Sequence, residues 1–280
     1  AESPLWAFGR LMRATPSRAP TDTTSLQERT SMPMSPRLLR PRQTGFSPKS
    51  ISGLVGWWDA SVTSSLAQLS TGSTAVSADN DPVGYWADQS GNGRNLTQAT
   101  NNNRPTYNTN VINGRPVINF DGLNDALLAS FTLTQPIHYF LAWRFDSSYV
   151  SGNPRAFDGA TGNSMSFFRS SSSQLALFAG TSSRTANVSD AEATAFNVME
   201  IQANRSSTNL LYNGANRNGN TGDIGTNAPN GIYLGVFGNG FSNPGDVSFA
   251  EVLIYSRILE SAESARVRKY LGSKYGISTT

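Results

Sequence analysis

From Gly53 onward, Gly, Asn, Ser and Pro cut the chain into short β-branched and aromatic runs, and this punctuation decides the fold class. The clearest run is Ile137–Phe145. On an extended chain, Ile137, Tyr139, Leu141, Trp143 and Phe145 share one face, and His138, Phe140, Ala142 and Arg144 share the other. Successive side chains of a strand point to opposite sides, so the first set is a core face. Similar runs at Leu54–Trp58, Pro116–Phe120, Ala126–Leu133, Met165–Arg169, Leu175–Gly180, Phe196–Ala203, Asn209–Tyr212, Ile232–Phe237 and Val247–Ser256 predict further strands. Many short strands separated by turn residues predict an all-β sandwich or barrel. Tyr212-Asn213-Gly214 predicts a hairpin, because Asn-Gly accepts the positive φ of a type I′ turn. A helix is expected only at Ser261–Tyr275, with Ser261 as cap, Glu263 in its first turn, Lys274 in its last and Gly276 beyond its end. Val267, Tyr270 and Leu271 make its apolar stripe.

The first 50 residues have a different texture. They hold Pro4, Pro16, Pro20, Pro33, Pro36, Pro41 and Pro48, half of the 14 prolines in the chain. Each fixes its φ and removes a donor, so nothing longer than a short helix at Thr23–Arg29 is expected there. The segment carries eight basic and three acidic groups, a net +5, against 14 basic and 16 acidic groups, a net −2, in the remaining 230 residues. The overall +3 therefore describes a basic arm on a nearly neutral domain. The expected division is 1–50 as an extended anchoring arm and 51–280 as the β domain.

With no cysteine in the chain, disulfides, zinc–thiolate sites and a cysteine nucleophile are excluded. The opening AESPLW lacks a basic stretch followed by an apolar one, so synthesis in a host cytoplasm without a signal peptide is expected. No apolar stretch approaches the roughly 18 residues of a membrane-spanning helix. The loop WADQSGNGRN, Trp86–Asn95, has glycines spaced like a phosphate cradle, but no helical pattern follows it. It is expected to turn the chain, with Trp86 inside and Asp88 or Arg94 tying the turn down.

Several stretches together resemble the laminin-G-like, concanavalin A-like lectin/glucanase domains, most of all those of tailed-phage and bacterial surface proteins. They are GLVGWWDAS (Gly53–Ser61), WADQSGNGRNLTQAT (Trp86–Thr100), RPTYN (Arg104–Asn108), INGRPVINFDGLNDAL (Ile112–Leu127) and the terminal EVLIYSRIL and YLGSKYGI. The resemblance runs through nearly all of residues 50–277 and leaves out the arm. It implies two antiparallel sheets in a jelly-roll sandwich with a short C-terminal helix. It does not imply one activity, because such domains include lectins, glycoside hydrolases and structural modules.

Candidate chemistry is sparse. Glycoside hydrolysis needs two carboxylates flanking one bond. The Glu-x-Asp-x-x-Glu strand of the related glucanases is missing, and the nearest acid pairs are Asp121/Asp125, Asp190/Glu192 and Glu260/Glu263. His138 is the single histidine, lies inside a strand, and reads as structural. No catalytic residue and no required cofactor are expected. Ca2+ is the ion that Asp121, Asn124 and Asp125 would suit as loop oxygen ligands, as would Asp79, Asn80 and Asp81. Sugar contacts are expected from Tyr107, Asn239, Phe241 and Asn243, an aromatic and amide set on turns. In the arm, Leu5, Trp6, Phe8 and Leu11 would fill pockets on a neighbour, and Arg37, Arg40 and Arg42 would pair with its carboxylates.

The expected role is that of a virion structural protein of a tailed phage. The arm would anchor on capsid or tail proteins. The lectin-like domain would face outward at the virion surface as a decoration or cement knob, in many copies, contacting host-surface polysaccharide. A tail-fibre or receptor-binding protein is one alternative, and a free carbohydrate-binding protein or glucanase is another. Neither a membrane nor nucleic acid is an expected partner.

Overall fold

The computed structural model describes residues 45–238 and 242–280. The arm residues Leu5, Trp6, Phe8, Leu11, Arg37, Arg40 and Arg42, the Thr23–Arg29 helix, and Asn239 and Phe241 lie outside the described residues.

The strands, in chain order, begin with β1 (Leu54–Asp59), β2 (Leu66–Ala67), β3 (Asp81–Pro82), β4 (Tyr85–Trp86), β5 (Leu96–Thr97) and β6 (Thr106–Ile112). Next come β7 (Arg115–Asp121), β8 (Leu127–Ala129), β9 (Ile137–Phe145), β10 (Arg155–Asp158), β11 (Ser166–Ser171) and β12 (Gln174–Phe178). The last are β13 (Ser183–Asn187), β14 (Asn197–Ala203), β15 (Asn209–Tyr212), β16 (Ala215–Asn216), β17 (Ile232–Leu234) and β18 (Asp246–Tyr255). One helical turn, α1, spans Asp190–Ala193, and α2 spans Ser261–Tyr275.

They form the expected antiparallel sandwich. One sheet runs β16-β15-β14-β9-β18-β7-β6-β3, and the other runs β13-β12-β11-β10-β17-β8-β5-β4-β2. Strand β18 is long enough to take two partners in series on one side: Asp246–Phe249 pairs with β7, and Glu251–Tyr255 with β1. Between the sheets lies the main core, where Trp58, Trp86 and Trp143 are fully buried. Trp143 meets Phe145, Phe167 and Phe249 at 5.0, 5.5 and 5.9 Å between ring centroids. The predicted core face of β9 is this face.

The outer face of the first sheet is also apolar along part of its length. Phe140, Ala142, Val198, Leu253 and Tyr255 pack there against Val267, Leu271 and Tyr275 of α2. Helix α2 has the predicted span, and Gly276 takes the left-handed conformation at its end (φ 69°). Its cap is Glu260 rather than Ser261: the Glu260 and Glu263 side chains each accept from the other's backbone N–H. Ser261 is then the first residue of the helix. Phe46 and Pro48, on the arm side of the expected boundary, pack on this region; Phe46 lies 5.6 Å from the Tyr270 ring.

The WADQSGNGRN loop turns the chain as expected. Asp88 accepts from the N–H groups of Trp57, Ser90 and Arg94, and the Arg94 guanidinium donates to the Val55 carbonyl. Gly91 and Gly93 both have positive φ. The Asn213-Gly214 hairpin is present with φ of 51° and 89°.

Candidate functional site

The outer face of the first sheet is divided by α2. Under the helix it holds two sealed polar networks, and beyond the helix it is open.

The first network is centred on Glu200, which is fully buried. Its carboxylate accepts from His138 Nε2 at 2.9 Å, Ser264 Oγ at 2.7 Å, Arg268 Nη1 at 2.6 Å and Gln202 Nε2 at 3.0 Å. Burial pushes the Glu200 carboxyl up, but these donors outweigh burial and bring it down to about 2. The Leu259 N–H donates to His138 Nδ1 at 3.1 Å. That bond requires Nδ1 to be unprotonated, so His138 is the neutral Nε2–H tautomer. Burial holds it neutral by lowering its pKa. Serine, histidine and glutamate meet here with the wrong connectivity for nucleophilic catalysis. Ser264 donates to the carboxylate rather than to the imidazole, and both ring nitrogens are committed.

The second network joins Asp59 and Glu251, which face each other across β1 and β18. A bulge between Phe249 and Glu251 moves Glu251 out of the core alternation and onto the helix side. Lys274 of α2 sits between the carboxylates, contacting Asp59 and bonding Glu251 at 2.7 Å. Trp57 Nε1, Tyr270 OH and Tyr275 OH also donate to Glu251. Burial and the Asp59 charge raise the Glu251 pKa, and Lys274 opposes them. This paired-carboxylate motif is invisible to a search for nearby acids in the chain. It is filled by Lys274 and closed to solvent.

The open part of the face is polar. Asn119, Ser248 and Arg144 lie side by side on β7, β18 and β9, because Ser248 is paired with both of the others. Asp146, just past β9, gathers them: it accepts from Arg144 Nε at 2.6 Å, Asn119 Nδ2 at 3.0 Å and Ser248 Oγ at 2.6 Å. The Arg144 guanidinium rests on the Phe196 ring at 4.5 Å, which fixes its plane. Asn108, paired with Val117, extends the strip onto β6, and its amide donates to Asn80. Together Asn108, Val111, Val117, Asn119, Arg144 and Ser248 line a groove of about 270 Å³.

The groove leads to a cleft at the loop end of the sandwich, also about 270 Å³. Asp121 and Asp246, the next outward positions on β7 and β18, stand at its mouth, with Tyr149, Val150 and Arg169 also on its walls. Gly122 (φ 70°) lets the loop close on β18; a Cβ there would lie 2.8 Å from that of Asp246. Val150 and Leu123 are 88% and 73% exposed here, the largest apolar exposures among the described residues.

Sequence expectations meet this geometry unevenly. Asn243 is exposed and borders the cleft, where its carbonyl accepts from Arg155 N at 2.9 Å. Tyr107 is corrected: it is 5% exposed, its ring lies in the inter-sheet core, and no sugar can stack on it. Asp121, Asn124 and Asp125 share a loop, but as its internal ties. Asp121 accepts from the N–H groups of Leu123 and Asn124, and Asp125 accepts from that of Asp121. Asp81 similarly binds the N–H groups of Ser77 and Ala78. Among the described residues, no three His, Cys, Asp or Glu side chains are grouped to hold a metal ion. The acid pair Glu260/Glu263 caps α2, and Glu192 of the pair Asp190/Glu192 caps α1 with Ser189. Sequence reasoning missed Asn119, Arg144 and Ser248. The available signal was a polar residue at an outward position of an otherwise apolar strand.

No protein-family model matches the chain, and no curated protein does. Solved structures do. The sialidase of Trypanosoma rangeli in complex with sialic acid superposes with a TM-score of 0.54 and 13% identity, over 82% of this chain and 34% of its own. The binding domain of Paraclostridial Mosquitocidal Protein 1 does so with a TM-score of 0.55 and 13% identity, over 81% of this chain and 53% of its own. The chain thus spans between a third and just over half of these proteins. At such identities the likeness is one of fold alone.

Proposed function

We propose that the β domain is a glycan-binding module without hydrolytic activity of its own. The observation that carries this reading is the groove over Asn108, Asn119, Arg144 and Ser248. It is a preorganised row of amide, hydroxyl and guanidinium groups on paired strands, with exposed Val111 supplying apolar surface for a sugar ring. The absence of hydrolysis is supported by the state of the carboxylates. Asp59 and Glu251 are sealed by Lys274, and Asp146 is held by three donors. A glycan array with the full chain, followed by titration calorimetry on the hits, tests the reading. Binding should fall at least about tenfold in Asn119→Ala with Ser248→Ala, the loss of roughly two hydrogen bonds. A blank array would sink the proposal, and so would release of reducing sugar from the bound glycan.

The setting is the one the sequence suggests: a virion surface, with the arm fastened to capsid or tail proteins and the module displayed in many copies. Support comes from the proline and arginine content of residues 1–50 and from the resemblance to phage surface domains. Multiple copies would turn millimolar sugar contacts into useful avidity. Deleting residues 1–44 should abolish incorporation into particles while leaving glycan binding intact. Normal incorporation of the truncated chain would refute the anchoring role.

A further inference from the structure

We propose that the groove selects uncharged, hydroxyl-rich glycans and discriminates against sugar acids. This rests on the glycan-binding reading above and names its ligand class. The argument is a count of which hydrogen-bonding groups remain unused. Asn119 Nδ2 is committed to both Asp146 and Ser248, leaving Asn119 Oδ1 without a partner among the described residues. Ser248 Oγ donates its proton to Asp146 and keeps a lone pair. Asn108 Oδ1 accepts once, from Thr106, and has capacity for a second bond. Asp146 offers further lone pairs. The unused donors of the row come mainly from Arg144: its two terminal nitrogens have no hydrogen-bond partner among the described residues, while Nε is tied to Asp146. The row therefore leaves donors and acceptors in similar number, and a ligand must supply both. Each sugar hydroxyl donates and accepts, whereas a carboxylate or sulfate only accepts and would leave Asn119 Oδ1 and Asn108 Oδ1 unmet.

Charge points the same way. Asp146, at 2.6 Å, matches the single cation in the groove, so Arg144 has little attraction left for an anion. Asp121 and Asp246 stand at the outer end, and Asp79 is bound to the Thr109 N–H beside Asn108. At the helix end Arg115 is cationic, but Asp59 and Glu251 outnumber Lys274. An anionic ligand would meet a field that is neutral to negative along the whole strip.

The test uses the full chain and matched probes: oligomers of glucose, galactose and mannose, each beside its counterpart with C6 oxidised to a carboxylate. Calorimetry should show at least one neutral oligomer binding, with its acidic partner weaker by roughly tenfold at low salt. The gap should narrow as sodium chloride rises from roughly 0.05 M to about 1 M, where the Debye length is only about 3 Å. Acidic partners that bind as tightly as the neutral ones, or more tightly, overturn the selectivity and leave the glycan reading standing. If no oligomer of either kind binds, the glycan reading fails and the selectivity falls with it.

Discussion

Glu200→Gln tests the central structural claim about the helix-covered half of the sheet, that a buried ion holds α2 in place. The carboxylate has no exposure and receives four donors. A glutamine keeps the shape but turns one oxygen into a donor, which then faces another donor. It also leaves Arg268 without its ion pair. Breaking a buried pair costs about 3–5 kcal/mol. Arg268 is 14% exposed and keeps a bond to the Thr280 carbonyl, so the lower end, about 3 kcal/mol, applies here. For a domain of this size that is a Tm lower by roughly 6–12 °C. The pH dependence is sharper still. The Glu200 carboxyl lies at about 2 in the fold against 4.5 in the unfolded chain, so its stabilisation is full above pH 4.5 and is lost as the pH falls towards 2. That share is about 3 kcal/mol. His138 adds a separate acid penalty. Its folded pKa is lowered, so the unfolded chain takes up its proton first, and stability begins to fall below about pH 6.5. Urea unfolding from pH 7 to pH 3 should therefore show the Glu200→Gln variant below the wild type at pH 7, with the gap steady down to about pH 4.5 and closing below it. A variant within about 1 kcal/mol of wild type at pH 7, or one as acid-labile as wild type below pH 4.5, would refute the network as the clasp of α2.

Two further perturbations probe other carboxylates. Asp125 is pushed up to about 6 by burial, with the Asp121 N–H opposing and the Asp121 charge adding to the rise. A raised carboxyl destabilises the fold once ionised, so stability should fall as the pH climbs from about 4 to about 6 and then level off, by about 3 kcal/mol at most. Asp125→Asn, whose amide oxygen can still accept from Asp121, should be the more stable protein at pH 8 in thermal melts, and an unchanged or lower Tm there would contradict this. Lys274→Met removes the cation between Asp59 and Glu251 and should cost about 3–5 kcal/mol at pH 7. The loss should shrink in acid, where the raised Glu251 carboxyl takes a proton ahead of an ordinary glutamate; a loss equal at neutral and acid pH would show that packing rather than charge is at stake.

How far the sequence speaks depends on whether the determining contact is local. Strand β9 and helix α2 have the predicted bounds, because alternation and turn chemistry act within a few residues. Strands β10 and β13, RAFD and SRTAN, escaped notice because their charged residues are buried in the fold: Arg155 between Phe168 and Phe237, Asp158 by the Gly159 and Asn163 N–H groups, and Arg184 by the Asn220 and Ser206 carbonyls. Nothing in four or five residues announces partners that arrive from elsewhere in the chain. The groove has the same character. Asn119, Arg144 and Ser248 become neighbours through strand register alone, and no spacing rule links them.

The arrangement of the outer face then follows from one geometric fact: α2 covers only part of that face. Beneath the helix, every charged group on the face is enclosed and must be paired, which is why Glu200 meets Arg268, and Lys274 meets Asp59 and Glu251. Past the end of the helix the same strands continue in the same register, but solvent and Asp146 take over the role of partner. Asn119, Ser248 and Arg144 occupy positions that Phe140, Leu253 and Tyr255 fill under the helix, and they need no cover. An apolar side chain at those three positions would extend the helix-binding surface and leave it unburied. Polar residues there satisfy the fold without a second helix, and they leave unused donors and acceptors on paired strands. The site is thus the uncovered remainder of a packing face, and its reach along the strands is set by where α2 stops.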